Sequence, residues 1–251
     1  MTFIIPIGIF YLYTKKYIKQ LYENFIVSFS NKTGLRHTDQ YGYIGGMGKK
    51  GDDTRKRILD AAQQLILSHG YSGMSLDQLI RQLGMTKGAF FHHFKNKHDL
   101  ARTLIQRYSD DGVTLFKTAL ARAQAYSDDP LQQLIIVIRQ YEEIFQALSG
   151  PYDGCLLAAY VYELQQFDEE IRGLLRTEFE LSRVELTQLL RAVARTYPPQ
   201  REVDLVSLAD GFMSLFEGAF ILSKVMKEPK LASEQLIQCR NYLELLFKTP
   251  A

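Results

Sequence analysis

The chain has 251 residues, 46% of them hydrophobic and 23% charged, an ordinary globular balance with enough length for a sizeable core. Its net charge of +2 says nothing about partners, while two cysteines, Cys155 and Cys239, exclude a disulfide-built scaffold and fit a reducing cytoplasm. No Cys/His cluster has zinc-ligand spacing, and the sequence holds no P-loop, no GxGxxG after a strand and no nucleophile–base–acid set, so no metal, cofactor or enzyme activity is expected.

Residues 1–46 follow a different design from the remainder. TFIIPIGIFYLY is apolar and aromatic and precedes Lys15, Lys16 and Lys19, the reverse of a secretory leader, which carries its charge first. The run is interrupted by Pro6 and Gly8 and is shorter than the roughly twenty residues that span a bilayer. We therefore expect an unstructured or mis-assigned extension, translation from Met47 and no stable membrane association; a weak membrane-surface anchor is the alternative. Charge is unevenly spread beyond it. Residues 49–107 carry eleven basic and five acidic side chains, and residues 108–251 carry fourteen and twenty-one. A basic segment followed by an acidic one suits a DNA-reading end joined to a body that stays off DNA.

Lys49 and Lys50 form a basic lead-in to a first amphipathic helix over 54–69, whose inward stripe is Ile58, Ala61, Ala62, Leu65 and Ile66 and which Gly70 terminates. The stretch SLDQLIRQLGMTKGAFFHHFKNKHDL, 75–100, comes next. Ser75 is a good N-cap, Leu76, Leu79, Ile80 and Leu83 recur at helical spacing, and Gly84 closes the helix. Met85 reads as a buried turn residue and Thr86 as the cap of a second short helix. Two helices joined by a Gly-containing turn form the helix-turn-helix pattern, whose second helix lies in the major groove. Ala89, Phe90 and Phe94 are expected to anchor that helix inward, leaving Lys87, Phe91, His92 and His93 outside. The adjacent histidines point apart and cannot chelate from one face.

From these residues the chain is similar to the TetR family of transcriptional regulators. GMTKGAFFHHFKNKHDL resembles the family's recognition helix with its aromatic-x-x-Phe-x-x-Lys-x-x-Leu run, and TRKRILDAAQQLILSHGYSGMSLDQL resembles its first helix and the loop into its second. The departures are Phe91, where the family usually has a Tyr whose hydroxyl often reaches a DNA phosphate, and Ile80, where a small residue is common. The resemblance implies that Lys97 holds a phosphate and that a fourth helix couples the reading unit to the body. DNA contacts are expected from Ser75, Thr86, Lys87, Gly88, Phe91, His92, His93 and Lys97, with Ser75 and Lys97 positioning on phosphates.

The rest reads as helix throughout. Asn96 caps a long helix running to about residue 125, and Asp128-Asp129-Pro130 opens another that ends near Gly150-Pro151. Gly154 to Phe167 reads as an apolar helix, Asp168 to Tyr197 as a long amphipathic one, and 201–226 with 233–247 as a final pair. No bounded period-two run follows Met47, so the expected fold is all-α. Its parts would be the extension (1–46), a three-helix DNA-binding domain (47–100) and a helical bundle for ligand binding and dimerisation (101–251).

In the last pair, Leu205, Leu208, Phe212, Leu215, Phe216, Ala219 and Leu222, with Gly211 and Gly218 one heptad apart, face Leu236, Tyr242, Leu243, Leu246 and Phe247. That is more apolar surface than one core face requires. A homodimer paired through Leu208, Gly211, Phe212, Leu215, Gly218, Leu222, Leu243 and Phe247 is expected, as the family resemblance also implies. Its operator would be an inverted repeat of double-stranded DNA with half-sites about 34–36 Å apart, or a multiple of that. Tyr108, Phe116, Tyr141, Phe145, Tyr152, Tyr160 and Tyr162 supply aromatics to the middle helices; most are core, and a subset lines a small-molecule effector pocket. Cys155 stands in GCLL at the expected start of a helix, where a thiol pKa is lowered. That context resembles a subgroup of the family containing electrophile- and oxidant-sensing repressors, although a buried structural Cys is the ordinary reading. The expected function is a ligand-responsive repressor; the alternative is a helical module binding DNA non-specifically or an acidic partner.

Overall fold

A computed structural model describes residues 50–148 and 153–247. The expected extension, Met47 and Lys49, as well as Gly150, Pro151 and Tyr152, lie outside the described residues. The described chain is all-α, with an N-terminal helix-turn-helix unit followed by a helical bundle. Its helices are α1 (Lys50–Gly73), α2 (Leu76–Gln82), α3 (Lys87–His93), α4 (Lys97–Tyr126), α5 (Pro130–Gln146), α6 (Leu156–Val161), α7 (Glu169–Thr196), α8 (Leu205–Met226) and α9 (Leu231–Leu246).

Local chemistry explains most of the boundaries. Side chains of Ser75, Thr86, Asn96, Asp129, Asp168 and Asp204 each accept a backbone N–H from the first turn of the helix that follows them. Such caps satisfy donors that have no intrahelical partner. Gly70 interrupts α1 with φ 77°, ψ 167°, a conformation open only to glycine, so the long helix ends there and residues 71–73 form a separate turn. Gly84, at φ 61°, makes the tight exit from α2.

Several expected boundaries move. The helix opened by Pro130 stops at Gln146, short of Gly150-Pro151. The final pair begins at Leu205 and Leu231 rather than 201 and 233, because Asp204 caps the first and α9 starts without a side-chain cap. The continuous helix expected over 154–167 is broken: α6 covers only Leu156–Val161, and a 3-10 turn follows at Leu164–Gln166. Glu163, between them, adopts φ −124°, ψ 31° and turns its carboxylate toward α1 instead of continuing the helix.

Buried residues form two clusters. One joins α1–α3 to the first half of α4, to α6 and to the start of α7, through Ile58, Phe90, Phe94, Leu104, Tyr108, Leu156, Tyr160 and Ile171. The other fills the space between α5, α8 and α9 and the distal halves of α4 and α7. The first cluster runs past residue 100, so the reading head shares its core with α6 and α7. Helix α8 is long and apolar enough, with a mean hydropathy of 1.6, to cross a membrane by composition alone; here it packs against α7 and α9.

Candidate functional site

The helix-turn-helix is assembled from caps and a two-ring anchor. Ser75 Oγ accepts the Gln78 N–H at 3.1 Å and Thr86 Oγ1 accepts the Ala89 N–H at 3.2 Å. Each hydroxyl keeps its own proton for an outside acceptor, and both residues are exposed. Phe90 and Phe94 are fully buried, with ring centroids 5.9 Å apart, and they seat α3 on the head. The outward stripe is Lys87, Gly88, Phe91 and His92; His93 is half-buried. Ala89, expected inside, is exposed: Phe90 takes the inward position and carries its neighbour outward. Met85 is only half-buried.

Two side chains in this region do work that their sequence position did not suggest. Lys97, expected on a phosphate, is turned inward, where its ammonium donates to the Tyr71 carbonyl and lies 4.2 Å from the centre of the Tyr71 ring. Burial holds its pKa below the ordinary lysine value. Arg55 extends from α1 to the far end of α3, donating to the His93 carbonyl at 2.9 Å and lying 4.4 Å over the Phe94 ring. A cation on the last carbonyls of a helix is favourable, so Arg55 pins the end of α3 that Thr86 does not. Only its place in a basic amphipathic helix hinted at this.

Lys87 pairs with Asp77 of α2 at 2.9 Å, both largely exposed. The hydrogen bond from Lys87 lowers the Asp77 pKa. A pair this open contributes little to stability and is readily exchanged for another anion. Asp77 is therefore an acidic side chain at the edge of the surface that α3 presents to solvent, a feature the hydrophobic pattern did not reveal.

The body contains a cavity of about 70 Å³ lined by Phe116, Tyr141, Cys155, Leu157, Phe179, Phe212, Phe216, Glu217 and Cys239, among others. Three of the expected effector residues, Phe116, Tyr141 and Cys155, line it; Tyr108, Phe145 and Tyr160 do not. The Tyr108 hydroxyl accepts the Leu156 N–H at 3.1 Å, Phe145 packs on Phe220, and Tyr160 stacks on Tyr71 and Phe167. Tyr162 is 70% exposed and belongs to neither group.

For Cys155 the structure favours the ordinary reading of a buried thiol over a lowered pKa. It caps α6, its sulfur accepting the Ala158 N–H at 3.5 Å, yet burial foremost, and then the Glu217 carboxylate, push its thiol pKa well above the ordinary value. A six-residue helix does not offset that burial, so the surroundings favour the protonated thiol over the thiolate. Among the described residues no group of His, Cys, Asp and Glu is arranged to hold a metal.

The expected pairing surface is redistributed as well. Leu208, Phe212, Leu243 and Phe247 are buried in the protomer's own core. Gly211 and Leu222 are exposed, and Leu215 and Gly218 half-buried. A Cβ on either glycine would meet nothing within 4 Å. Ile221, Leu222, Val225 and Met226 of α8 and Tyr242 and Leu245 of α9 are the exposed apolar side chains of these two helices.

Comparison with known proteins agrees with this geometry. Residues 58–104 match the family model for bacterial regulatory proteins of the tetR family. The transcriptional regulator AcuR of Cereibacter sphaeroides is 28% identical over 175 residues, covering 68% of this chain and 77% of that protein. The HTH-type transcriptional repressor DhaR of a Mycobacterium species is 23% identical over 171 residues, 68% of this chain and 82% of its own. In structure, a TetR-family regulator from Agrobacterium tumefaciens superposes with a TM-score of 0.64 at 22% identity, covering 78% of this chain and 99% of that one. Its helix-turn-helix head, helical body and relatives place this protein among DNA-binding regulators rather than enzymes: residues 58–104 match the TetR family of bacterial regulatory proteins, and the chain resembles transcriptional regulators over about two thirds of its length.

Proposed function

We propose that this protein is a cytoplasmic homodimeric repressor that binds an inverted-repeat operator and leaves it when a small molecule occupies the cavity of its body. The observation that carries the reading is the bare outer stripe of α3, held rigidly from behind by Phe90, Phe94 and Arg55. Lys87, Gly88, Ala89, Phe91 and His92 are the residues we assign to base edges. Ser75 and Thr86 are assigned to phosphates through their free hydroxyl protons, and His93, half-buried, has at most a marginal part. Lys97 is not assigned, because its ammonium is already engaged.

The reading head comprises α1–α3 and the first turns of α4, and the dimerisation body follows it. The apolar face of Ile221, Leu222, Val225, Met226, Tyr242 and Leu245 suits a second copy of the same face, with Gly211 and Gly218 allowing close helix approach. Among the described residues the cavity wall is aromatic and aliphatic, with Glu217 as its one carboxyl group and no basic residue. It suits a compact, largely apolar molecule bound non-covalently, since the Cys155 thiol is held protonated. Release follows by population shift: the occupant favours a dimer whose heads no longer match the half-site spacing.

The test is selection of bound sequences from random duplex DNA by the full chain. Recovery of an inverted repeat supports the reading. Binding without sequence preference, by a folded protein at moderate salt, refutes it and favours a non-specific helical module.

A further inference from the structure

The head meets the body at the turn that follows Gly70. Residues 71–73 form one helical turn, and its leading amide N–H groups have no helical partners of their own. The position where a capping side chain would ordinarily stand is occupied by Gly70, which has none. The cap comes from far along the chain. Glu163, just beyond α6, accepts the Tyr71 N–H at 2.6 Å, the Ser72 N–H at 2.9 Å and the Ser72 hydroxyl. A Cβ on Gly70 would lie 2.6 Å from Glu163 Oε1, so the glycine also makes room for the carboxylate.

The surrounding groups complete a clamp. Lys97 closes the other side of the turn through the Tyr71 carbonyl and ring. The Tyr71 ring packs against Tyr160 and Phe167, which flank Glu163 in the chain, with centroids 5.6 and 4.5 Å away. Burial opposes a charge on Glu163, but the Ser72 and Tyr71 donors and nearby Lys97 together hold its carboxyl below the ordinary value. At the opposite end of α6, Cys155 and Leu157 line the cavity. One short helix thus has its first residues at the cavity and its closing turn on the reading head.

We infer that Glu163 is the positioning residue that fixes the angle of the reading head against the body, by capping the Tyr71-Ser72 turn from the end of α6. In a dimer that angle sets the distance between the two recognition helices. Anything that moves α6 therefore moves the support of the head. This inference rests on the dimeric operator-reading function proposed above.

The experiment compares the full chain with Glu163→Gln and Ser72→Ala on duplexes carrying the selected repeat, its spacer lengthened or shortened by one or two base pairs. Wild type should favour one spacer by about tenfold, and Glu163→Gln should flatten that preference to about threefold or less, on the scale of losing a charge-assisted hydrogen bond. Affinity for a duplex with a single half-site should be unchanged. Ser72→Ala, which removes one donor of three, should fall between. A general loss of stability would not alter spacer preference selectively. Glu163→Gln that keeps the wild-type preference overturns the inference.

If wild type selects no repeat, the operator-reading proposal fails separately, and the head angle is read directly. Spin labels on cysteines replacing exposed Gln82 and Glu143, in labelled chain diluted with unlabelled chain, report the head-to-body distance. A broader or shifted distribution in Glu163→Gln then supports the clamp, and an unchanged one overturns it.

Discussion

Glu185 offers a test of how the body is held together. It lies on α7, is 5% exposed, and among the described residues neither carboxylate oxygen has a hydrogen-bond partner. Burial raises its pKa from 4.5 to about 7, with Lys117 acting in the opposite direction. Between those two pH values the folded protein holds a proton that the unfolded chain has lost, so stability falls as pH rises through the window. Below it the penalty vanishes; above it the penalty is constant at about 3 kcal/mol. Glu185→Gln keeps the shape and removes the titration. The variant should therefore be close to wild type at pH 5 and more stable by about 2 kcal/mol or more at pH 8. The assay is urea unfolding of both proteins at each pH, at one fixed protomer concentration, since association would otherwise enter the result. Other titrating groups cancel in the difference. An equal difference between the two proteins at pH 5 and pH 8 would refute the reasoning.

Three further outcomes follow from the same geometry. Asp77→Asn removes an acidic group from beside the reading helix and frees Lys87, so operator affinity should rise by about threefold to tenfold at low salt and converge on wild type at high salt; fluorescence anisotropy across a salt series checks both. Cys155, buried and pushed up in pKa, should resist iodoacetamide at pH 8 in the folded protein and react readily in urea, as mass spectrometry would show; rapid labelling of the native chain would restore the reactive-thiol view. Val225→Asp places a charge in the exposed apolar face of α8 and should shift the protein to monomer without altering its helical content, measured by sedimentation and circular dichroism; an unchanged mass would move the dimer interface elsewhere.

The coupling between cavity and head gains definition from how little backbone separates them. Lys224 of α8 donates to the Leu67 carbonyl in α1 at 3.1 Å and to the Asp153 carbonyl, just before α6, at 2.9 Å. The helix proposed to pair two copies therefore also touches the end of the first head helix and the start of α6. Shared packing of this kind allows small shifts at one site to be felt at another, because a close-packed interior does not absorb them.

The sequence by itself determined what depends on neighbours three or four residues apart. Ser75, Thr86, Asn96, Asp129 and Asp168 each cap the helix they precede, because a cap needs only its own first turn. Gly70 and Gly84 could be read as stops for the same reason, and the spacing around Phe90 and Phe94 marked the helix-turn-helix. Direction and company were settled only in the tertiary structure. Lys97 turns inward because Tyr71, 26 residues earlier, offers it a carbonyl and a ring. Cys155 sits at a helix start, as its context suggested, but burial in the packed body, and then Glu217, push its thiol pKa up instead of down. Leu208, Phe212, Leu243 and Phe247 are indistinguishable by pattern from side chains on an open face, since an all-round apolar helix does not declare which side its own core will take. Glu163 falls inside the stretch 154–167 that reads as one apolar helix, with nothing in its spacing to mark it. Its partners lie 91 and 92 residues away, and only the folded chain brings a carboxylate to amides that a glycine left uncapped.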